Sequence, residues 1–253
     1  MKIAIIGGTG GMGKTLIRFF KKENIAAKAV GRKTKAPLKT LAQADIIFIS
    51  LPSEYIQFAV SLLDQIDTSK KLIVSLGSIM TRDQKELKSI MTPTLHMHQL
   101  FGPKTYPFSG QKIICAGDVS HAYSNFLKKL FIKNKVIIET MTAKRHDDLM
   151  ARTQVLSQFG TIVLGSVLSQ SGHSKKKLLD ASTITFRMNA DTIRRIAAQK
   201  ATLWSFIQFE NPDAAKALDL YVKNALEFRK FAKNKDKKGF EKAFDKMASF
   251  WNN

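Results

Sequence analysis

The chain of 253 residues is long enough for one large domain or two modest ones, and its 44% hydrophobic and 24% charged residues are those of an ordinary globular protein. A single cysteine, Cys115, excludes an internal disulfide framework, no His, Asp or Glu spacing suggests a metal site, and no apolar run approaches the roughly 20 residues that cross a bilayer. The net charge is +21, but the lysine clusters at 175–177 and 233–238 are not interleaved with aromatics, so the charge favours a phosphorylated cofactor and a carboxylate substrate over nucleic acid or membrane.

The first predicted strand, 2–6, starts at once, which leaves no room for a cleaved signal peptide and leads us to expect a cytoplasmic protein. It runs into Gly7-Gly8-Thr9-Gly10-Gly11-Met12-Gly13 and a predicted helix over 13–22. Gly8, Gly10 and Gly13 take the three places of G-x-G-x-x-G, with Thr9, Gly11 and Met12 between them. In dinucleotide folds such glycines allow a tight turn, the approach of a pyrophosphate and close helix–strand packing, while the helix start offers its N–H groups to phosphate. The second strand, 27–30, ends at Gly31-Arg32-Lys33-Thr34. An NAD site usually places Asp or Glu here for the ribose 2′-hydroxyl. None is present, and Arg32 and Lys33 supply two cations and Thr34 a hydroxyl, so the expected cofactor is NADP rather than NAD.

Further strands are predicted at 46–50, 72–75, 94–98, 112–115 and 136–138, with helices over 54–65, 82–90 and 120–131. Apolar strands alternating with helices predict an α/β fold with a mostly parallel, doubly wound sheet. Cys115 reads as a buried strand thiol. From about Lys144 only helical spacing remains, over 146–170, 174–184, 191–209, 214–234 and 237–250. Asn211-Pro212-Asp213 is a breaker, with Asp213 placed to cap the next helix. The expected organisation is a Rossmann-type dinucleotide-binding domain over 1–143 and an all-α domain over 144–253.

Three segments carry candidate chemistry. His96-Met97-His98 closes the fifth strand on the carboxyl side of the sheet, Leu76-Gly77-Ser78-Ile79 closes the fourth, and Arg145-His146-Asp147-Asp148 opens the first long helix. Taken alone, His98 fits a core histidine as well as a catalytic one. His146 fits a backbone-bonding helix start or a site, and Arg194-Arg195 a solvated pair. His121 and His173 lack context and are expected at the surface. Ser78 is not part of a G-x-S-x-G elbow.

Together the segments resemble the prephenate/arogenate dehydrogenase family of tyrosine biosynthesis. His98-Gln99-Leu100-Phe101-Gly102-Pro103 is similar to its H-P-M-F-G-P box, Gly110-Gln111 to the Gly-Gln that follows, and His146-Asp147 to the H-D pair of its E-H-D box. Phe186-Arg187-Met188-Asn189 through Arg195-Ile196-Ala197 resembles the helical segment that carries a substrate arginine, and the tail ending Phe250-Trp251 the closing helix. The resemblance spans nearly all of the chain. It implies an NAD(P)-dependent dehydrogenase that oxidatively decarboxylates prephenate to 4-hydroxyphenylpyruvate, or arogenate to tyrosine, and a homodimer formed through the helical domain. It places the catalytic histidine at His98, its supporting serine at Ser78 and the carboxylate-binding arginine at Arg195, with His146 and Gln158 as further substrate contacts. A histidine titrating near neutrality suits the proton of the ring hydroxyl, and an arginine grips carboxylates bidentately.

The chain departs from the family pattern at several points. Pro is usual where Gln99 stands, Asp where Ser75 stands, Lys where Met80 stands, an acid where Arg145 stands, and His where Gln158 stands. Two rivals remain. One is another two-domain NADP-dependent reductase of imines or keto acids, which would not need His98 with Arg195. The other is a family member whose changes at Met80, Gln99 and Gln158 have left a binding protein.

Overall fold

The computed structural model describes residues 1–252, with Ser53 described by its backbone alone, and the chain divides into two compact units, Met1–Asp147 and from Asp148 onward. The first unit is built on one seven-stranded sheet of β1 (Lys2–Ile6), β2 (Ala26–Val30), β3 (Ile46–Ile49), β4 (Leu72–Ser75), β5 (Thr94–Gln99), β6 (Lys112–Gly117) and β7 (Ile137–Thr140). Their spatial order is β2-β1-β3-β4-β5-β6-β7, and every neighbouring pair is parallel except β5 with β6. The chain leaves β1 for β2 on one side and returns across β1 to β3. That reversal puts the topological switch point, where such sheets bind ligands, at the carboxyl ends of β1 and β3.

Helices cover both faces, which is why the central strands read as continuous apolar runs. On one face Ile3, Ile5, Phe48, Val74, Leu95, Met97 and Cys115 meet α1 (Gly11–Lys22) and α5 (Ala122–Lys133). Leu16, Phe19 and Phe20 of α1 fall on one stripe, and the Phe19 ring stacks on Phe131 with centroids 4.9 Å apart. On the other face Ala4, Ile6, Ile47, Ile49 and Ile73 meet α2 (Pro37–Ala42), α3 (Ile56–Leu63) and the end of α4 (Met80–Glu86).

The boundaries moved in places for local reasons. α1 starts at Gly11, two residues before the predicted start, with Gly10 at the N-cap position. α4 spans Met80–Glu86 rather than 82–90, because the amides of Met80 and Thr81 bond to Asp147 and begin the helix earlier. His121 is not a bare surface residue. It is half-buried at the N-cap of α5, where its Nδ1 accepts from the Tyr123 amide at 3.3 Å. His173 is exposed.

The division between the units falls within α6 (Ala143–Met150). The second unit holds a π-helical stretch, Ala151–Val155, then α7 (Leu156–Ser169), α8 (Lys175–Asp180), α9 (Ile184–Ala197), α10 (Ala201–Glu210), α11 (Ala214–Asn234) and α12 (Lys237–Asn252). The predicted helix 174–184 stops at Asp180, and Thr183 starts α9 by accepting from the Phe186 amide at 3.2 Å. The predicted helix 191–209 is likewise two helices, broken after Ala197. Asp213 occupies the N-cap position of α11 but makes no side-chain cap bond; Asn211 Oδ1 instead accepts from the Asp213 amide at 2.9 Å and sets the turn. Among the described residues, one buried cluster of this unit is Val155, Ile207 and Ala214, with Trp204, Phe206 and Leu218 packed against them. Ile184 (81% exposed), Met188 (66%), Phe250 (75%) and Trp251 (75%) stay open. No described helix is long and apolar enough to cross a membrane.

Candidate active site

The turn after β1 is shaped by backbone alone. Gly7 has φ +79°, and a Cβ there would run into the Ser50 carbonyl at the end of β3, so only glycine fits. A Cβ at Gly13 would strike the Gly7 carbonyl and Gly8 Cα, which is the close packing of helix on strand that the third glycine permits. Gly8 is buried while Thr9, Gly10 and Gly11 are exposed, with Met12 between. No side chain caps α1, and its first backbone bond is Lys14 N–H to the Gly10 carbonyl at 3.0 Å. The amides of Gly11, Met12 and Gly13 are therefore available to a phosphate, with the positive end of the helix dipole behind them.

At the end of β2, Thr34 Oγ accepts from the Gly31 amide and the Thr34 amide donates to the Gly31 carbonyl, both at 2.9 Å. This closed turn presents Arg32 and Lys33, both exposed. After β5 the chain leans on the same helix start. Thr15 Oγ donates to the Pro103 carbonyl at 2.6 Å, and the Arg18 guanidinium lies 4.2 Å from the centre of the Tyr106 ring.

Strand alternation sends Leu95 and Met97 of β5 into one face of the sheet and His96 and His98 to the other. His98 Nδ1 lies 2.8 Å from His146 Nε2, and His146 Nδ1 lies 2.7 Å from Asp147 Oδ1. The rings meet edge to face, centroids 5.0 Å apart. Asp147 also accepts from the amides of Met80 and Thr81, each at 2.9 Å, and from Thr81 Oγ at 2.5 Å. All three side chains of the chain His98–His146–Asp147 are buried.

Chemistry assigns the protons. An ionised carboxylate only accepts, so His146 carries a proton on Nδ1, and in its neutral form it accepts at Nε2. His98 then donates from Nδ1 and keeps the lone pair on Nε2. Burial, with a smaller push from His146, lowers the His98 pKa to about 3, so its imidazole is neutral across the working range. Burial pushes the Asp147 carboxyl up, but the bonds from His146, Thr81 and Met80 outweigh it and hold the group below its ordinary value. His96, next along the same face, is lowered by burial to about 4, and its Nδ1 has no partner among the described residues.

Of the other predicted site residues, Ser78 is half-buried in the connection between β4 and α4, and its side chain makes no hydrogen bond among the described residues. Gln99 is buried with an unpartnered Nε2, again among the described residues. Met80 is fully buried and Arg145 exposed. Arg195 and Gln158 belong to the second unit. Arg195 is exposed on α9, and whereas Arg194 pairs with Asp191 at 3.0 Å, Arg195 has no ion pair among the described residues. Gln158 is half-buried on α7 with an unpartnered Oε1 among the described residues. Sequence reasoning missed Gly7, Asp147 and Asp83. The His146-Asp147 adjacency was the one available signal for the second of these.

A doubly wound sheet with an uncapped glycine turn at its switch point, and a neutral histidine held by a carboxylate on the same edge, is an arrangement that suits a bound nucleotide beside a proton acceptor. Residues 142–246 match the sequence profile of the family described as prephenate dehydrogenase, dimerization domain. The T-protein of Haemophilus influenzae is 26% identical over 253 residues, covering 99% of this chain and 67% of its own length. A probable arogenate/prephenate dehydrogenase of Methanocaldococcus jannaschii is 24% identical, covering 98% and 60%. The solved prephenate dehydrogenase of A. aeolicus, in complex with hydroxyphenyl propionate and NAD+, shares the fold with a TM-score of 0.76 at 15% identity, over 98% of this chain and 96% of that one. Together these findings show that the chain is similar to prephenate/arogenate dehydrogenases, with the family profile matched over residues 142–246. It spans about two thirds or less of the length of these two sequence relatives.

Proposed function

We propose that the protein oxidatively decarboxylates prephenate or arogenate and prefers NADP. The observation that carries this is the buried chain His98–His146–Asp147, which leaves a neutral imidazole lone pair on the sheet edge that carries the open glycine turn. Bound nicotinamide would take the hydride from the ring carbinol. His98 Nε2 accepts the proton of the carbinol hydroxyl, and the positive charge arriving on His98 is met through His146 by Asp147. The ring carboxylate then leaves as carbon dioxide as the ring becomes aromatic. Ser78, at the neighbouring strand end, orients the ring, and Arg195, without an ion pair among the described residues, takes a substrate carboxylate.

Support for this substrate class comes from the names of the sequence relatives and from the aromatic acid in the A. aeolicus complex. Support for NADP comes from Arg32 and Lys33 and the missing acid after β2. The open apolar residues of the helical unit, together with the description of the matching profile, support a homodimer.

Incubating the protein with prephenate or arogenate and NADP or NAD, and following absorbance of the reduced cofactor, tests the proposal. Turnover is expected with one of the two acids, faster with NADP; four inert combinations would refute it. Arg32→Ala is expected to raise KM for NADP by about tenfold and leave NAD unchanged, since a bond to a charged group is lost. Equal losses with both cofactors would remove the phosphate role. Arg195→Gln should raise the substrate KM by about tenfold or more with a smaller change in kcat; a parental KM would reassign the carboxylate ligand.

A further inference from the structure

Asp83 of α4 is 2% exposed, a buried carboxyl that the reaction above does not use. Its Oδ2 accepts from the Ser75 hydroxyl and from the Gly77 amide, the latter at 3.1 Å. Its Oδ1 has no partner among the described residues. With Ile49, Leu51, Ile56, Ser75 and Gly77 it lines a cavity of about 10 Å³, the size of one water molecule. The turn is drawn tightly onto this carboxyl, since a Cβ at Gly77 would collide with it. An apolar side chain would fill the space without the desolvation that a carboxyl suffers.

What the carboxyl holds is the Leu76–Ile79 connection, which carries Ser78. The next two amides, of Met80 and Thr81, are held by Asp147, the anchor of His146 and His98. The start of α4 is thus fixed by two carboxyls, one tied to the serine turn and the other to the histidines. The family resemblance expects an acid at position 75, where this chain has Ser75.

We propose that Asp83 is a positioning residue of the dehydrogenase site, which ties Ser75 and the Gly77 amide so as to hold Ser78 in register with His98, and stands in for the acid missing at position 75. The inference rests on the dehydrogenase reading. Burial raises the Asp83 pKa to about 6; Arg82 on its own helix favours the ionised form and Asp147 on α6 opposes it. His98 and His96 titrate well below that window, at about 3 and about 4.

The test compares Asp83→Ser, Asp83→Asn and the exchange variant Ser75→Asp/Asp83→Ser. Asp83→Ser is expected to lower kcat by about 10²-fold, the scale of a small misplacement, with KM for the dinucleotide unchanged. The exchange variant should recover most of that loss. The parent's kcat should rise as pH passes about 6, and Asp83→Asn, which keeps the shape and folds, should lose this limb. Parental kcat and pH profile in Asp83→Asn would overturn the proposal. So would an exchange variant no faster than Asp83→Ser when circular dichroism shows both folded. The Gly77 amide proton gives a readout free of substrate: its NMR shift should titrate near pH 6 in the parent and stay flat in Asp83→Asn. If the parent turns over neither acid while Gly77 titrates, the functional reading fails and the tie stands; a Gly77 shift that ignores pH overturns the tie itself.

Discussion

Replacing His98 by Asn is expected to lower kcat by about 10²–10⁴-fold and to leave the dissociation constant of the dinucleotide unchanged. The Asn amide can still donate to His146 Nε2, so the buried contact survives in altered form. Toward the substrate it offers an amide oxygen, which does not take up a proton at these pH values. The glycine turn is held by its own backbone bonds, Gly8 N–H to the Ile5 carbonyl and Gly10 N–H to the Gly7 carbonyl, each at 2.9 Å, and none of them passes through His98. Single-turnover kinetics and a fluorescence titration of the cofactor separate the two effects. A parental kcat would move the proton acceptor to another residue.

Asp147→Asn is expected to cost about 10²–10⁴-fold in kcat, for a different reason. An amide nitrogen facing His146 Nδ1 would favour the reverse arrangement of protons. His146 would then donate from Nε2 to His98 Nδ1, and His98 Nε2 would carry a proton instead of a lone pair. The fold suffers as well. The Asp147 carboxyl sits below its ordinary pKa of 3.8, so its contribution to stability is present above that value and is lost as pH falls through the lower folded value. Asp147→Asn should therefore unfold at a lower denaturant concentration than the parent at pH 7, and the gap should close in acid. A variant with parental kcat at pH 7 would break the link between carboxylate and base.

Most of the first unit was legible in the sequence. β1, β3, β4 and β6 are mostly apolar runs, because both faces of the sheet are covered there, and the glycines name their own turn. The second unit was less so. Apolar residues recur at helical spacing straight through 191–209, and what ends α9 at Ala197 is tertiary packing, including the Trp204 indole donating to the Ile196 carbonyl at 3.2 Å. Within the candidate site, His98 and His146 were visible as residues, but nothing in a linear string says that rings 48 positions apart touch. Asp147 was visible only as the second residue of the H-D pair; its ties to Met80 and Thr81 span 67 and 66 positions. Asp83 was hidden more completely, since an acid in the first turn of a helix is ordinarily a solvated one.

The raised pKa of Asp83 also sets a conflict between durability and speed. A shift from 3.8 to about 6 corresponds to roughly 3 kcal/mol of stability, present below about pH 4 and lost as pH rises through about 6. The contribution of Asp83 itself to stability is thus greatest where it is neutral, while turnover is expected to be fastest where it is charged. Directed evolution for heat tolerance at neutral pH would discard this residue early, and the same campaign scored on turnover would retain it.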